Sequence, residues 1–216
     1  MNNFYRVTEI QNLSRGNYII KIEKKNLKFT AGQFFSLGLE NNPINREYSV
    51  CSGEDAKTVD FLIREVDNGI ISTNLRNIKI NDKIKVLGPF GNFYLKKFDD
   101  RKQYIFIATG TGIAPFMSII KTYPSINYKI FHGVRLFEDT IKELINKNYC
   151  IFISREKSKK DNIYEGRITD HISLLNGFDK DTCFFLCGNS IMVSEVYDLL
   201  LKNNYSAINI FTEIFF

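Results

Sequence analysis

The apolar positions of this chain keep two rhythms, one in each half. In the first half they fall in short, separate runs. Residues 18–22, 33–39, 48–51, 59–66 and 84–87 are alternating or continuous apolar stretches rich in β-branched and aromatic residues, which read as strands. Gly32 breaks the chain before the second run, and Gly88-Pro89 marks a turn after the last. Residues 71–77 predict one short helix. Many short strands with turn residues between them predict a small antiparallel β-barrel.

In the second half, strand-length apolar runs alternate with helix-spaced ones. Strands are predicted at 104–108, 128–133, 149–153, 183–187 and 208–211, and helices at 114–123, 140–147, 169–175 and 190–203. This alternation predicts an α/β doubly wound parallel sheet. The rhythm changes across the short charged run Phe98-Asp99-Asp100-Arg101-Lys102, so the expected domains are 1–98 and 103–216.

Composition narrows the picture. The chain has 216 residues, enough for two small domains, and its 44% hydrophobic content can bury a core in each. Its 19 Phe and 11 Tyr supply many flat rings for stacking on a planar ligand. A net charge of +5 suits an acidic protein partner or a phosphate pocket, but is too small to argue for nucleic acid. The run Lys157-Ser158-Lys159-Lys160 reads as a solvated loop. Cys51, Cys150, Cys183 and Cys187 form neither a CxxC pair nor an iron–sulfur spacing, so no metal is expected and a reducing compartment fits. The first residues lack an apolar signal core, and no apolar run approaches the roughly 18 residues of a membrane span. The expected location is therefore cytoplasmic, away from membranes. His132 and His171 lack metal partners at suitable spacing and read as structural.

Two segments carry candidate chemistry. Ala108-Thr109-Gly110-Thr111-Gly112-Ile113-Ala114-Pro115 lies between a buried strand and a helix. Glycines there let a backbone approach a phosphate, and a helix start favours its charge. Pro115 stands where the usual dinucleotide fingerprint has a third glycine, and proline suits a first helical turn. The same residues also suit a plain strand–helix turn. Arg46-Glu47-Tyr48-Ser49, followed by Ser52, places a guanidinium, a ring and a hydroxyl on one short strand. They can neutralise a pyrophosphate, stack on a planar ring and bond to its edge. In isolation, an ordinary barrel strand with an exposed arginine would look the same.

Arg46 to Ser49 closely resembles the flavin motif of the ferredoxin–NADP reductase superfamily, and other segments follow in that family's order. Gly69-Ile70-Ile71-Ser72 resembles its second phosphate loop and short helix, and Leu87-Gly88-Pro89-Phe90-Gly91 the turn that ends its flavin barrel. Gly110 to Pro115 resembles the nicotinamide-domain turn, and Leu186-Cys187-Gly188-Asn189 the Cys-Gly motif beside the nicotinamide. Glu213-Ile214-Phe215-Phe216 resembles the Glu-x-aromatic C-terminus. The resemblance covers nearly the whole chain, and bacterial-type ferredoxin/flavodoxin–NADP reductases look closest.

The resemblance implies an FAD-dependent enzyme exchanging electrons between NADPH and ferredoxin or flavodoxin. FAD would be held by Arg46, Glu47, Tyr48, Ser49, Leu62, Ile63, Arg64, Gly69, Ile70, Ile71, Ser72 and Thr111. Tyr48 would cover one flavin face, Phe215 the other, and Phe216 would reach the adenine. These last two rings stand where the family often has Tyr and Trp, so stacking is kept without the hydroxyl. NADP would be held by Gly110, Thr111, Gly112, Arg135, Ser154, Arg155, Arg167, Cys187, Gly188 and Asn189. Ser49, Cys187 and Glu213 would frame hydride transfer: Ser49 on the flavin edge, Cys187 packed on the nicotinamide, Glu213 handling charge or protons. A buried strand cysteine is the plain alternative for Cys187.

A 2′-phosphate needs cations near the ribose, and Arg135, Arg155 and Arg167 resemble the positions that serve NADP in bacterial reductases. The first two follow predicted strand ends, where open α/β sheets bind ligands. Glu138 and Glu156 lie nearby. The same motifs fit an NAD(P)H–flavin reductase or the reductase component of an oxygenase system. A non-catalytic flavin-binding subunit is a further alternative, against which the full set of transfer residues argues.

Overall fold

A computed structural model describes residues 3–14, 16–144, 146–158 and 161–215. The chain divides into two compact units, residues 1–96 with 114–124, and residues 97–113 with 125–216.

The first unit holds β1 (Phe4–Asn12), β2 (Asn17–Glu23), β3 (Phe34–Leu39), β4 (Asn45–Ser49), β5 (Thr58–Arg64), α1 (Ile70–Asn77) and β6 (Lys83–Phe90). Its six strands form one antiparallel sheet in the order β4-β3-β6-β1-β2-β5. The ladder does not run on from β4 to β5; a single bridge, Val50 to Phe61, joins the two edge strands. Alternation sends Tyr18, Ile20 and Ile22 of β2, Phe35 and Leu37 of β3, and Val59, Phe61 and Ile63 of β5 into one apolar core. Leu75 and Ile71 of α1 cover that core.

Two features of this unit depart from the sequence pattern. Strand β1 was not evident, because Val7 is its only fully buried residue and its other apolar residues, Phe4, Tyr5 and Ile10, are half-buried and do not alternate cleanly with the polar ones. Strand β6 runs through Gly88-Pro89 to Phe90 instead of turning there. The register shifts between Phe34 and Ser36 opposite it, so the turn signal marks a bulge. Gly88 takes φ +137, and a Cβ there would lie 2.8 Å from the Phe35 ring.

The second unit holds β7 (Gln103–Thr109), β8 (Asn127–Val134), β9 (Tyr149–Ile153), β10 (Ile163–Glu165), β11 (Cys183–Asn189), α3 (Ser190–Lys202) and β12 (Ile210–Phe215). Its strands are all parallel, in the order β10-β9-β8-β7-β11-β12. Strands β7, β9 and β11 are buried almost throughout, as a parallel sheet covered on both faces requires. After β7 come a 3-10 turn, Gly110–Ile113, and helix α2 (Ala114–Thr122), which packs with the first unit. There the Ser118 hydroxyl donates to the Ser52 carbonyl at 2.6 Å, the Glu54 N–H donates to Thr122 Oγ1 at 3.0 Å, and Phe116 meets Phe93.

Three predicted elements differ here. The helix expected at 140–147 is reduced, among the described residues, to a 3-10 turn at Lys142–Leu144. Local side-chain bonds compete with it: Thr140 Oγ1 donates back to Phe137, and Asn146 Oδ1 accepts the Asn148 N–H. Residues 168–175 are 3-10 turns kinked at His171, whose Nε2 donates to the Glu165 carbonyl. The last strand begins at Ile210, after a 3-10 turn at Ala207–Asn209. The described cysteines are all buried free thiols. No helix among the described residues is long and apolar enough to cross a membrane.

Candidate functional site

In the first unit, the candidate residues lie on β4, β5 and the start of α1. Strand alternation puts Arg46 and Tyr48 on one face of β4 and Glu47 and Ser49 on the other. Arg46 is exposed, its Nη1 donating to the Asn45 carbonyl at 2.9 Å. Tyr48 packs against the core, and burial pushes its hydroxyl up to about 12. The Val50–Phe61 bridge brings the end of β4 to β5, one step from Leu62. Leu62 and Ile63 are buried, so they offer a ligand mainly backbone, while Arg64 is half-exposed.

Ser49 is 3% exposed, and its Oγ finds no hydrogen-bond partner among the described residues. A buried hydroxyl left unpaired costs about 1–3 kcal/mol. A polar ligand atom at this place would remove that cost, which fits a flavin edge.

The Gly69–Ser72 turn is tightly built. Gly69 is the N-cap of α1, and a Cβ there would lie 2.7 Å from Ser72 Oγ and 2.8 Å from the Val66 carbonyl. Ser72 Oγ accepts the Val66 N–H at 3.1 Å, and the Ser72 carbonyl accepts the Tyr18 hydroxyl at 2.6 Å. Burial raises the Tyr18 hydroxyl far above its ordinary value, so it stays protonated and donates. Arg76 lies over the Tyr18 ring and pairs with Glu65 at 2.7 Å. Ile71 is core, whereas Ile70 is exposed. Tyr18, Glu65 and Arg76 were not evident from sequence, because their roles depend on contacts across strands.

In the second unit, every described candidate lies at the C-terminal edge of the parallel sheet. Gly110, Thr111 and Gly112 follow β7, Arg135 follows β8, Ser154 and Arg155 follow β9, and Arg167 follows β10. Backbone bonds gather them: Ser154 N–H to Val134, Arg155 N–H to Arg135 at 3.0 Å, and Gly166 N–H to Ile153 at 2.8 Å. The three arginines are exposed. Arg167 is held at its backbone by Asp170, whose carboxylate accepts its N–H at 2.7 Å.

On the other side of β7, the ends of β7 and β11 are pressed together. A Cβ on Gly112 would lie 2.7 Å from the Cys187 carbonyl carbon and 2.8 Å from Gly188 Cα. Gly188, at φ +129, would meet the Thr109 carbonyl at 2.8 Å. Thr109 Oγ1 accepts the Asn189 N–H at 2.8 Å. It stands inside the glycine-rich segment, and its role shows only with β11 in place. The two buried glycines let the backbones after β7 and within β11 pack in direct contact at this edge of the sheet. Asn189 is already engaged: its Oδ1 caps α3, accepting from Ile191 and Met192.

Cys187 sits opposite Glu213 in the β11–β12 register, with Sγ 3.9 Å from Oε2. Burial, and then the Glu213 charge, push its thiol well above the usual range, so it is no thiolate nucleophile. Phe215 ends β12, half-buried, in register with Asn189. Phe216, Lys159 and Lys160 lie outside the described residues.

An antiparallel sheet whose strand β4 carries an arginine and a ring on one face and, on the other, a buried hydroxyl unpaired among the described residues, and a parallel sheet with glycines and arginines gathered at its C-terminal edge, define a flavin- and nicotinamide-binding oxidoreductase. Comparison with known proteins agrees. Residues 5–94 match the oxidoreductase FAD-binding domain family, and residues 106–198 the oxidoreductase NAD-binding domain family. The flavodoxin/ferredoxin–NADP reductase of Buchnera aphidicola (subsp. Baizongia pistaciae) is 32% identical over 81% of this chain and 80% of its own length. The toluate 1,2-dioxygenase electron transfer component of Pseudomonas putida is 26% identical over 97% of this chain, which spans 66% of that protein. A solved ferredoxin NADP+ reductase from Neisseria gonorrhoeae, with bound FAD and NADP, shares the fold at a TM-score of 0.88, with 22% identity and full coverage of both chains. The chain belongs to the ferredoxin–NADP reductase family, with an FAD-binding domain followed by an NAD(P)-binding domain.

Proposed function

We propose that this protein is an FAD-dependent reductase that exchanges hydride with NADPH and single electrons with ferredoxin or flavodoxin. The observation that carries the NADPH reading is the gathering of Arg135, Ser154, Arg155 and Arg167 at the sheet edge that also holds Gly110–Gly112 and Cys187–Gly188. The carrier is supported by the names of relatives such as the Buchnera reductase, of whose length the chain spans four fifths.

Bound FAD supplies the chemistry that joins two-electron and one-electron transfer. The protein's residues bind and orient. Arg46 neutralises the flavin pyrophosphate, Tyr48 lies on the ring and the Ser49 hydroxyl bonds to its edge. Ile70 to Ser72, after the Gly69 N-cap, offer the first-turn amides of α1 to a phosphate, since the helix itself supplies these N–H groups with no acceptor. The exposed guanidiniums of Arg135, Arg155 and Arg167 read the 2′-phosphate, with the Ser154 hydroxyl beside them. Cys187 packs on the nicotinamide as a neutral thiol, and Glu213 holds charge beside it.

The test is stopped-flow mixing of the FAD-loaded protein with NADPH or NADH, followed by candidate ferredoxins and flavodoxins. Arg155→Ala should lower kcat/KM for NADPH about 10- to 100-fold and leave NADH nearly unchanged, as loss of a charged phosphate contact predicts. Equal kcat/KM for the two nucleotides in the unaltered protein sinks the NADPH reading. The match to the toluate dioxygenase component favours a second reading, a reductase for an oxygenase system. Rapid reduction of an oxygenase-type ferredoxin, with no reduction of flavodoxin, would select it.

A further inference from the structure

The interior of β8 is apolar except at one place. His132 is 0% exposed, in the fully buried stretch Ile130–His132 of the strand. It is paired at both ring nitrogens: Nδ1 lies 2.5 Å from the Tyr149 hydroxyl of β9, and Nε2 lies 2.8 Å from the Gly110 carbonyl. Tyr149 is itself 1% exposed, and the Ile141 N–H reaches its oxygen at 3.4 Å. A carbonyl can only accept, so His132 carries its proton on Nε2, and Nδ1 accepts the Tyr149 O–H. Burying an imidazole and a phenol costs free energy that a leucine and a phenylalanine would not. Packing alone therefore gives no reason for this pair, and what it holds is the Gly110 carbonyl.

That carbonyl needs holding. Gly110 takes φ +54, and a Cβ there would meet no atom of the described residues within 4 Å, so on that side no contact fixes the turn. Two residues later the backbone is fixed by contact, with Gly112 pressed on Cys187 and Gly188. In a planar trans peptide the C=O and the following N–H point opposite ways. A Gly110 carbonyl tied to β8 therefore turns the Thr111 N–H away from β8, toward the open end of the turn.

We propose that Tyr149 and His132 form a positioning pair that locks the Gly110–Thr111 peptide, so that the Gly110–Gly112 turn meets the pyrophosphate and nicotinamide in one preset shape. The proposal rests on the reading of this edge as the nicotinamide-nucleotide site. The pair touches no ligand; it acts through the turn. Three strands share the task, β9 holding the ring of β8 and β8 holding the turn after β7.

Calorimetric titration of the FAD-loaded protein with two ligands tests this. NADP+ engages the turn, whereas 2′-phospho-AMP engages only the arginine side. His132→Leu and Tyr149→Phe should each weaken NADP+ about tenfold, the loss of one buried hydrogen bond, and leave 2′-phospho-AMP unchanged. His132→Gln, which keeps an N–H near the Nε2 position, should bind NADP+ within about threefold of the unaltered protein. Parallel loss of both ligands, or unchanged NADP+ affinity, overturns the proposal. Should His132→Leu fail to fold, Tyr149→Phe and the ring-nitrogen NMR spectrum of the unaltered protein decide. A neutral Nε2–H ring is expected, and an Nδ1–H ring overturns it. If the unaltered protein binds neither ligand, the nicotinamide reading itself fails, and the proposal with it.

Discussion

Ser49 shows how a single atom can point to a ligand. Its hydroxyl is buried and has no partner among the described residues, so the apoprotein carries a cost that the flavin would relieve. Ser49→Ala should leave the apoprotein as stable or about 1 kcal/mol more stable, by urea unfolding, while weakening FAD binding about tenfold. A less stable apoprotein with unchanged FAD affinity would refute this role. His132 gives a second test at this scale. Burial pushes its imidazole down to about 4, against the Gly110 carbonyl and the Asp139 charge, which act the other way. Between about pH 6.5 and 4 the unfolded chain takes up a proton that the native ring refuses. The stability present above pH 6.5 should therefore be lost as pH falls through that window, by an amount on the order of 3 kcal/mol. Asp60, raised by burial, works in the opposite sense. Urea midpoints between pH 7 and 4.5 should show a shallower fall in His132→Gln, and an unchanged slope would count against the assignment.

Among the elements, the ends of β7 and β11 carry the most specific demand. Gly112 and Gly188 bring two backbones within side-chain distance, with Gly188 in a conformation that other residues rarely adopt. Gly112→Ala would drive a Cβ into the Cys187 carbonyl, so the strands must part or the turn must shift. The expected cost is about 1–3 kcal/mol in stability. Binding of NADP+ should be lost while FAD is retained; a variant that binds both normally would show that the close approach is not needed. The glycines of this turn were legible in the sequence, since their spacing between a buried strand and a helix has a backbone reason. What they press against was not, because Cys187 and Gly188 come from a strand 75 residues further along. The helix expected at 140–147 fails for a complementary reason: apolar spacing there is helical, but Thr140 and Asn146 bond to nearby backbone instead.

At the scale of the whole molecule, charge bears on the partner. A net +5 favours encounter with an acidic carrier, and such steering is screened by salt. Reduction of ferredoxin or flavodoxin should slow several-fold between about 20 and 300 mM salt, while reduction by NADPH of a small neutral dye changes little. A salt-independent carrier rate would argue against an electrostatic docking face. The two folds and their order were legible from the sequence, because apolar periodicity reports local structure and the switch from period two to alternating strand and helix occurs within the chain. Arg46 to Ser49, Gly110 to Gly112 and the arginines could be picked out there only as candidates, from the chemistry that these residue types carry wherever they stand. Only the tertiary structure decided which of them meet. The parallel arrangement sets every strand's C-terminal end on one edge, which gathers Arg135, Arg155 and Arg167 from three separate loops. It also decided that His132 and Tyr149, two unremarkable residues in buried strands, hold the glycine turn, because a hydrogen bond across three strands leaves no periodic trace in the chain.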